Sequence, residues 1–178
     1  MKLLKLAQPV DPTRIGNAVD CVIRSMQPEF ERHIGRIANF LGHYSQSPIE
    51  VMLGTAMWIG CNLSTPGWLV VVAPDFVGPV KNILILRPQY EWSRYRSDFL
   101  LEGYGHKILI ECDGHDFHEL TKGQAEHDRA KDREAQQVGY PILRFTGSEI
   151  YRDSRSCCVQ ILDFLGSRFG RAAQQAGD

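Results

Sequence analysis

Between residues 82 and 113 three runs of strand type follow one another with little between them: NILILRPQ (82–89), RYRSDFLL (94–101) and KILIECD (107–113). Large and β-branched apolar residues dominate each run, and each is short enough to end in a turn. The link Glu102-Gly103-Tyr104-Gly105-His106 carries two glycines, which predicts an antiparallel hairpin between the second and third runs. A meander of this kind must be covered on at least one face, so what lies around it decides the fold.

Helices are the expected cover. Ser47-Pro48-Ile49-Glu50 reads as a helix start, with Ser as N-cap, Pro in the first turn and Glu three residues on as a capping box. Residues 122–138 form a polar helix stopped by Gly139 and Pro141. YPILRF (140–145) follows as a buried strand, which a helical crossover brings back into the sheet. A last helix is expected over about 154–168. Between 60 and 80 glycines and prolines break regular structure, with Trp68–Val72 a short extended piece. Residues 1–46 read as a helical appendage in which Pro28 opens a helix bearing Phe30, Ile34, Ile37, Phe40 and Leu41. Residues 47–170 are expected to form the main domain, and 171–178 a frayed tail. The order describes an α/β fold with a mixed sheet flanked by helices.

The end of the third strand raises the functional question. Side chains alternate across a strand, so Glu111 and Asp113 project from one face while Ile108, Ile110 and Cys112 project from the other. On the neighbouring strand Asp98 is a lone acid beside Phe99, Leu100 and Leu101. If the hairpin sets Asp98 beside Glu111, the carboxylates converge in a partly desolvated cleft, and such a cluster is strongly unfavourable without a cation. Oxygen ligands favour Mg²⁺ or Mn²⁺ over zinc, and one or two carboxylates leave positions for waters and a phosphate. The duller explanations are an Asp98–Arg96 or Asp98–Arg94 pair and an ordinary Asp113-Gly114 turn.

Composition sets limits on the partner. The formal net charge of −1 supplies no global attraction to nucleic acid, so such a partner needs a local patch or metal ions. Arg87, Arg94, Arg96, His106 and Lys107 around the hairpins are the candidate patch. Five cysteines, at positions 21, 61, 112, 157 and 158, form no C-x-x-C pair, as expected of reduced thiols in a cytoplasmic protein. No apolar stretch has the length of a membrane-spanning helix, and no G-x-S-x-G points to a serine hydrolase. Oligomeric state leaves no mark on the sequence.

SPIE, RPQYEWSRYRSDFLLE, ILIECDGHDFH, a D-x-x-x-D-R helix and GYPILRFTGSEI, in that order, resemble the PD-(D/E)XK nuclease superfamily, the restriction-endonuclease-like fold. Within it the likeness is to very-short-patch repair endonucleases, over about residues 47–165. The resemblance implies an αβββαβ core and Mg²⁺-dependent hydrolysis of DNA phosphodiester bonds. It implies Asp98, Glu111 and the backbone carbonyl of Cys112 as metal ligands, Glu50 as a first-helix acid near the metal, and Gln89 facing the scissile phosphate. A capping box explains Glu50 equally, and a strand-edge position explains Gln89. Asp113 stands where the superfamily carries its lysine, two residues beyond the second acid. The patch-repair branch has histidines there and five residues further on, and only His118 matches.

A metal-bound water needs a group to orient it or accept its proton. His118, then Lys122 at the start of the following helix, then His115, are the candidates, with Asp113 beside them. On that helix Asp128, Arg129, Asp132 and Arg133 form stabilising i, i+4 contacts. In the functional reading Arg129 or Arg133, with Gln124, and Arg96 on the hairpin, face the substrate backbone, since Arg binds phosphate in a bidentate manner. Arg144, amid Ile142, Leu143 and Phe145, is expected to be buried and paired with Asp128 or Asp132. The rival readings are a nuclease fold that has lost cleavage and binds nucleic acid or protein, supported by the missing lysine, and a transition-metal module built on Asp113, His115 and His118.

Overall fold

The computed structural model of the chain describes residues 12–64, 68–78, 82–114 and 122–175. Helix α1 (Pro12–Tyr44) is followed by α2 (Pro48–Ser64), β1 (Leu69–Val71), β2 (Leu84–Trp92), β3 (Tyr95–Gly103), β4 (His106–Asp113), α3 (Lys122–Gln137), β5 (Ile142–Thr146) and α4 (Gly147–Gln175). The strands form one mixed sheet in the order β1-β2-β3-β4-β5. The meander β2-β3-β4 is antiparallel, while β1 joins β2 and β5 joins β4 in parallel. This is the α/β arrangement that the sequence predicts. Among the described residues no helix is long and apolar enough to cross a membrane.

Local chemistry accounts for the element ends. At the start of α2 the Ser47 hydroxyl donates to Glu50 Oε1 at 2.7 Å and accepts from the Glu50 N–H at 3.4 Å. The other carboxylate oxygen of Glu50 takes the Gln46 N–H at 3.0 Å, closing the capping box. The β3–β4 turn is reduced to Tyr104 and Gly105, both with positive φ (52° and 81°), as tight two-residue hairpins require. Gly139 (φ 78°) stops α3 in the left-handed conformation, with the Tyr140 N–H reaching back to the Ala135 carbonyl at 2.8 Å.

Two expected boundaries are corrected. Helix α1 does not open at Pro28 but runs through it. Pro28 forfeits one backbone bond, while good helix formers on both sides carry the helix across, and Gln27 Nε2 donates to Glu31 Oε1 at 2.7 Å over the gap. Helix α4 starts at Gly147, earlier than residue 154, because Thr146 and Glu149 form a second capping box. Its regular course breaks at Asp153 (φ −159°), whose Oδ1 accepts the Ser156 N–H at 2.9 Å and so restarts the helix close to the expected position.

The chain divides into two compact units at Arg36/Ile37. In the larger unit, one face of the sheet is covered by α2 and α4. Leu53, Met57 and Cys61 of α2, and Cys157, Cys158, Ile161 and Leu165 of α4, bury against Leu86, Phe99, Leu101, Ile108 and Ile110. Leu41 of α1 belongs to the same core. Each fully buried aliphatic side chain here contributes ~1.5–3 kcal/mol. Beneath the opposite face lies a smaller cluster of Trp92, Tyr95, Leu100 and Leu109, with Ala135 of α3. Cys112 packs with the larger core and Leu109 with the smaller, so the alternation expected along β4 holds. Glu111 therefore faces α3.

Candidate active site

The sheet opens where Asp98 and Glu111 should pair. Strands β3 and β4 are in register from Gly103↔His106 to Phe99↔Ile110, and the ladder stops there. Continued by one step, it would set Asp98 opposite Glu111. Instead the Cys112 N–H donates to Asp98 Oδ2 at 2.6 Å, so a side-chain carboxylate replaces the carbonyl of a partner strand. The β2–β3 ladder has its own gap at the same level. Pro88↔Phe99 and Tyr90↔Ser97 are paired, but Gln89, opposite Asp98, is not. Its φ of 48° lies in the left-handed region, an uncommon state for a non-glycine residue inside a strand.

Into this opening two helices bring one charge each. From the first turn of α2, Glu50 is 4% exposed and its Oε2 accepts Gln89 Nε2 at 2.7 Å. The capping and site readings of Glu50 are thus compatible, because one carboxylate does both. Gln89 Oε1, by contrast, is buried with no hydrogen-bond partner among the described residues. From α3, Lys131 Nζ donates to Glu111 Oε1 and to the Arg96 carbonyl, both at 2.6 Å. Lys131 is 7% exposed.

Burial is the largest influence on Asp98 and pushes its carboxyl up to about 7, with Glu111 and Glu50 adding repulsion. The Cys112 N–H and the Lys131 ammonium pull the other way without cancelling it. Three acids and one lysine leave an excess of negative charge, which is the condition for a cation site. Asp113 is likewise raised, first by burial and then by Glu111 and Asp128, with Arg144 opposing. It lies on the flank of the opening.

The donor set bears on which ion fits. Among the described residues no group of three or more His, Cys, Asp or Glu forms a metal cage. Asp98 Oδ1 and Glu111 Oε2 receive no hydrogen bond from a described residue, the other oxygen of each carboxylate being occupied. Two free hard oxygens suit Mg²⁺ or Mn²⁺, which keep most of their waters, and not a structural zinc. Burial disfavours the thiolate at three cysteines of the larger core, pushing Cys112 up strongly, Cys61 to about 12 and Cys158 to about 11.

Asp98, Glu111, Glu50 and Gln89 thus come together as the sequence suggests. His115 and His118 lie outside the described residues, as does the side chain of Lys122. Gln124, Arg129 and Arg133 are exposed on α3. Arg96 is exposed on β3, two residues before Asp98. The charged residue at this opening that sequence reasoning missed is Lys131. Its signal was the helical spacing Asp128, Lys131, Ala135, which forms the inward face of α3.

Two further expectations are corrected. The basic residues do not form one patch, because the β2–β3 and β3–β4 turns lie at opposite ends of the sheet. Arg94 and Arg96 stand at one end, His106 and Lys107 at the other, and Arg87 is buried in a 2.6 Å pair with Glu102. Arg144 does pair with Asp132, through two bonds of 2.6 and 3.0 Å, but its side chain is 31% exposed because β5 is an edge strand.

Residues 81–165 match the family model described as REase_MTES_1575, a restriction-endonuclease-like family. That match supports a restriction-endonuclease-like nuclease. It spans β2 to β5 and most of α4, and it includes Gln89, Asp98, Glu111 and Lys131. No curated protein and no solved structure matched the chain. The matched segment is thus the part of the chain in which the sheet opens.

Proposed function

We propose that the chain is a metal-dependent endonuclease that hydrolyses DNA phosphodiester bonds at the opening between β3 and β4. The observation that carries this reading is the convergence of Glu111, Glu50 and Lys131 on Asp98, at a point where two ladders are interrupted together. Asp98 and Glu111 would hold Mg²⁺ or Mn²⁺ through their free oxygens, with the Cys112 carbonyl as a further ligand. When bound, such an ion polarises the phosphoryl oxygens and acidifies its water.

The chain's own groups supply the rest. Lys131, fixed by Glu111 and the Arg96 carbonyl, places a positive charge beside the ligand carboxylates, where it offsets charge developing on the phosphate. Gln89 keeps Glu50 turned into the site and offers its buried Oε1 as an acceptor for a water hydrogen. His118, a few residues beyond β4 in the sequence, is our candidate to assist that water, with Lys122 as its competitor. Arg96, and Gln124, Arg129 and Arg133 of α3, contact the DNA backbone. The match of His118 to the second patch-repair histidine is what favours a likeness to the very-short-patch repair branch.

The inactive-fold reading drew its support from the missing lysine, and Lys131 supplies that charge from α3. The test is cleavage of a panel of duplex, nicked, mismatched, branched and single-stranded DNA and RNA with Mg²⁺, Mn²⁺ or EDTA. Wild type should produce nicks that Glu111→Ala, Lys131→Met and EDTA each abolish. Equal products from wild type and Glu111→Ala would remove the proposal.

A further inference from the structure

The β2–β3 hairpin extends past Asp98. Because β3 pairs with β4 only from Phe99 onward, residues 90–97 form a two-stranded arm. Such a ribbon is marginal by itself. Three positions on one stripe of α3 hold it: His127 meets the Tyr95 ring edge-on at 5.3 Å, Lys131 binds the Arg96 carbonyl, and Glu134 binds the tip. Glu134 accepts the Ser93 hydroxyl and pairs with Arg94 at 3.3 Å. Ser93 has a φ of 50°, a left-handed turn conformation that serine adopts reluctantly and that this bond helps to hold.

The tip has the chemistry of an anion site. Glu91, Ser93, Arg94, Tyr95 and Arg96 line an open concavity of about 300 Å³. The Arg94 side chain is 72% exposed, and its guanidinium lies 5.2 Å from the Tyr95 ring centroid, backed by a rigid surface. Tyr95 and the carboxylate of Glu134 both engage it, and Glu91 is the other carboxylate lining the concavity. Along the strand Arg96 stands roughly 7 Å from Asp98 and Arg94 roughly 13 Å.

We infer that this arm is a clamp for the DNA backbone beside the cleaved bond, and that Glu134 is its latch. In the free protein Glu134 draws Arg94 back onto the helix. A phosphate displaces it, receiving the bidentate fork of Arg94 and the charge of Arg96. Since the Arg96 carbonyl also holds Lys131, a strand seated on the arm is registered against Glu111. The inference rests on the nucleic-acid reading of the site and adds to it a positioning role for Glu134.

Equilibrium binding of a labelled DNA duplex, measured in EDTA over a salt series, tests the latch without cleavage. Glu134→Gln keeps an acceptor for Ser93 and should bind about two- to fivefold more tightly than wild type, the range of one exposed ion pair. Arg94→Ala should bind about three- to tenfold more weakly, with a salt slope lower by roughly one. The double variant should match Arg94→Ala. A Glu134→Gln protein no tighter than wild type, or a double variant still tighter than Arg94→Ala, overturns the latch. If all four proteins bind alike while wild type cleaves with Mg²⁺, the clamp falls and the nuclease reading stands. If none binds duplex or single-stranded DNA at low salt, both fall.

Discussion

Replacing Lys131 by Met separates the charge of this side chain from its bulk. The ammonium makes two 2.6 Å bonds, to Glu111 Oε1 and to the Arg96 carbonyl, and the Lys131 and Glu111 side chains are only 9% and 13% exposed. Breaking a buried ion pair by removing one partner typically costs ~3–5 kcal/mol, because a charge is left uncompensated. Met retains most of the apolar stem and its burial, which recovers ~1 kcal/mol. The net destabilisation expected at pH 8 is therefore ~2–4 kcal/mol. Urea unfolding of wild type, Lys131→Met, Glu111→Gln and the double variant in EDTA at pH 8 reads this directly, and the double variant should be less destabilised than the sum of the two single changes. Strict additivity would refute the reasoning, since it would show that Lys131 acts through the Arg96 carbonyl or packing and not through Glu111. The same variant should lose about 10²–10³-fold in cleavage rate if the charge acts on the transition state.

Other consequences follow from the same geometry. Burial raises Asp98 from the usual carboxylate range to about 7, so the fold favours its protonated form. Stability of the metal-free protein from this group is therefore full below about pH 4 and is lost as pH rises through 7. Asp98→Asn should remove that slope and be ~1–2 kcal/mol more stable than wild type at pH 8 in EDTA, part of the ~4 kcal/mol that three pKa units represent before solvent screening. Thermal scans across pH check it. Added Mg²⁺ should raise the melting temperature of wild type in proportion to occupancy and leave Glu111→Gln unmoved. Gln89→Gly relieves the left-handed φ while losing the bond to Glu50, so its stability should stay within about 1 kcal/mol of wild type, whereas Gln89→Ala should lose ~1–2 kcal/mol. Both should be poor nucleases, as cleavage assays on the preferred DNA substrate would show.

What could be read from the sequence divides by the range of the physics involved. The three strands, the Ser47–Glu50 capping box and the stop of α3 at Gly139 rest on local rules, and each was legible. The faces of β4 were legible too, because alternation along a strand is fixed by the backbone. So was the meeting of Asp98 and Glu111, because a short hairpin turn fixes register. The course of α1 through Pro28 was not, since a local penalty there is outweighed by the helix on either side. The split basic patch was missed because positions close in sequence were assumed close in space, although successive antiparallel turns lie at opposite ends of a sheet.

Lys131 shows where such reading fails for a site. A lysine sought at a fixed offset from Glu111 on β4 can be found only if the strand itself carries it. Here α3 supplies the charge, and its placement depends on the crossover that lays the helix over the sheet and on which helical face turns inward. Helical periodicity narrows the inward face to Asp128, Lys131 and Ala135, yet nothing local says that this face meets Glu111 and not another part of the sheet. The acids were easier because their position is written in the meander. A site whose negative charges are fixed by strand register and whose positive charge arrives on a helix can therefore relocate that positive charge without disturbing the acids. The absence of lysine at position 113 is accordingly poor evidence of lost activity, and the weight of that question moves to whether Lys131 and Glu111 act as a pair.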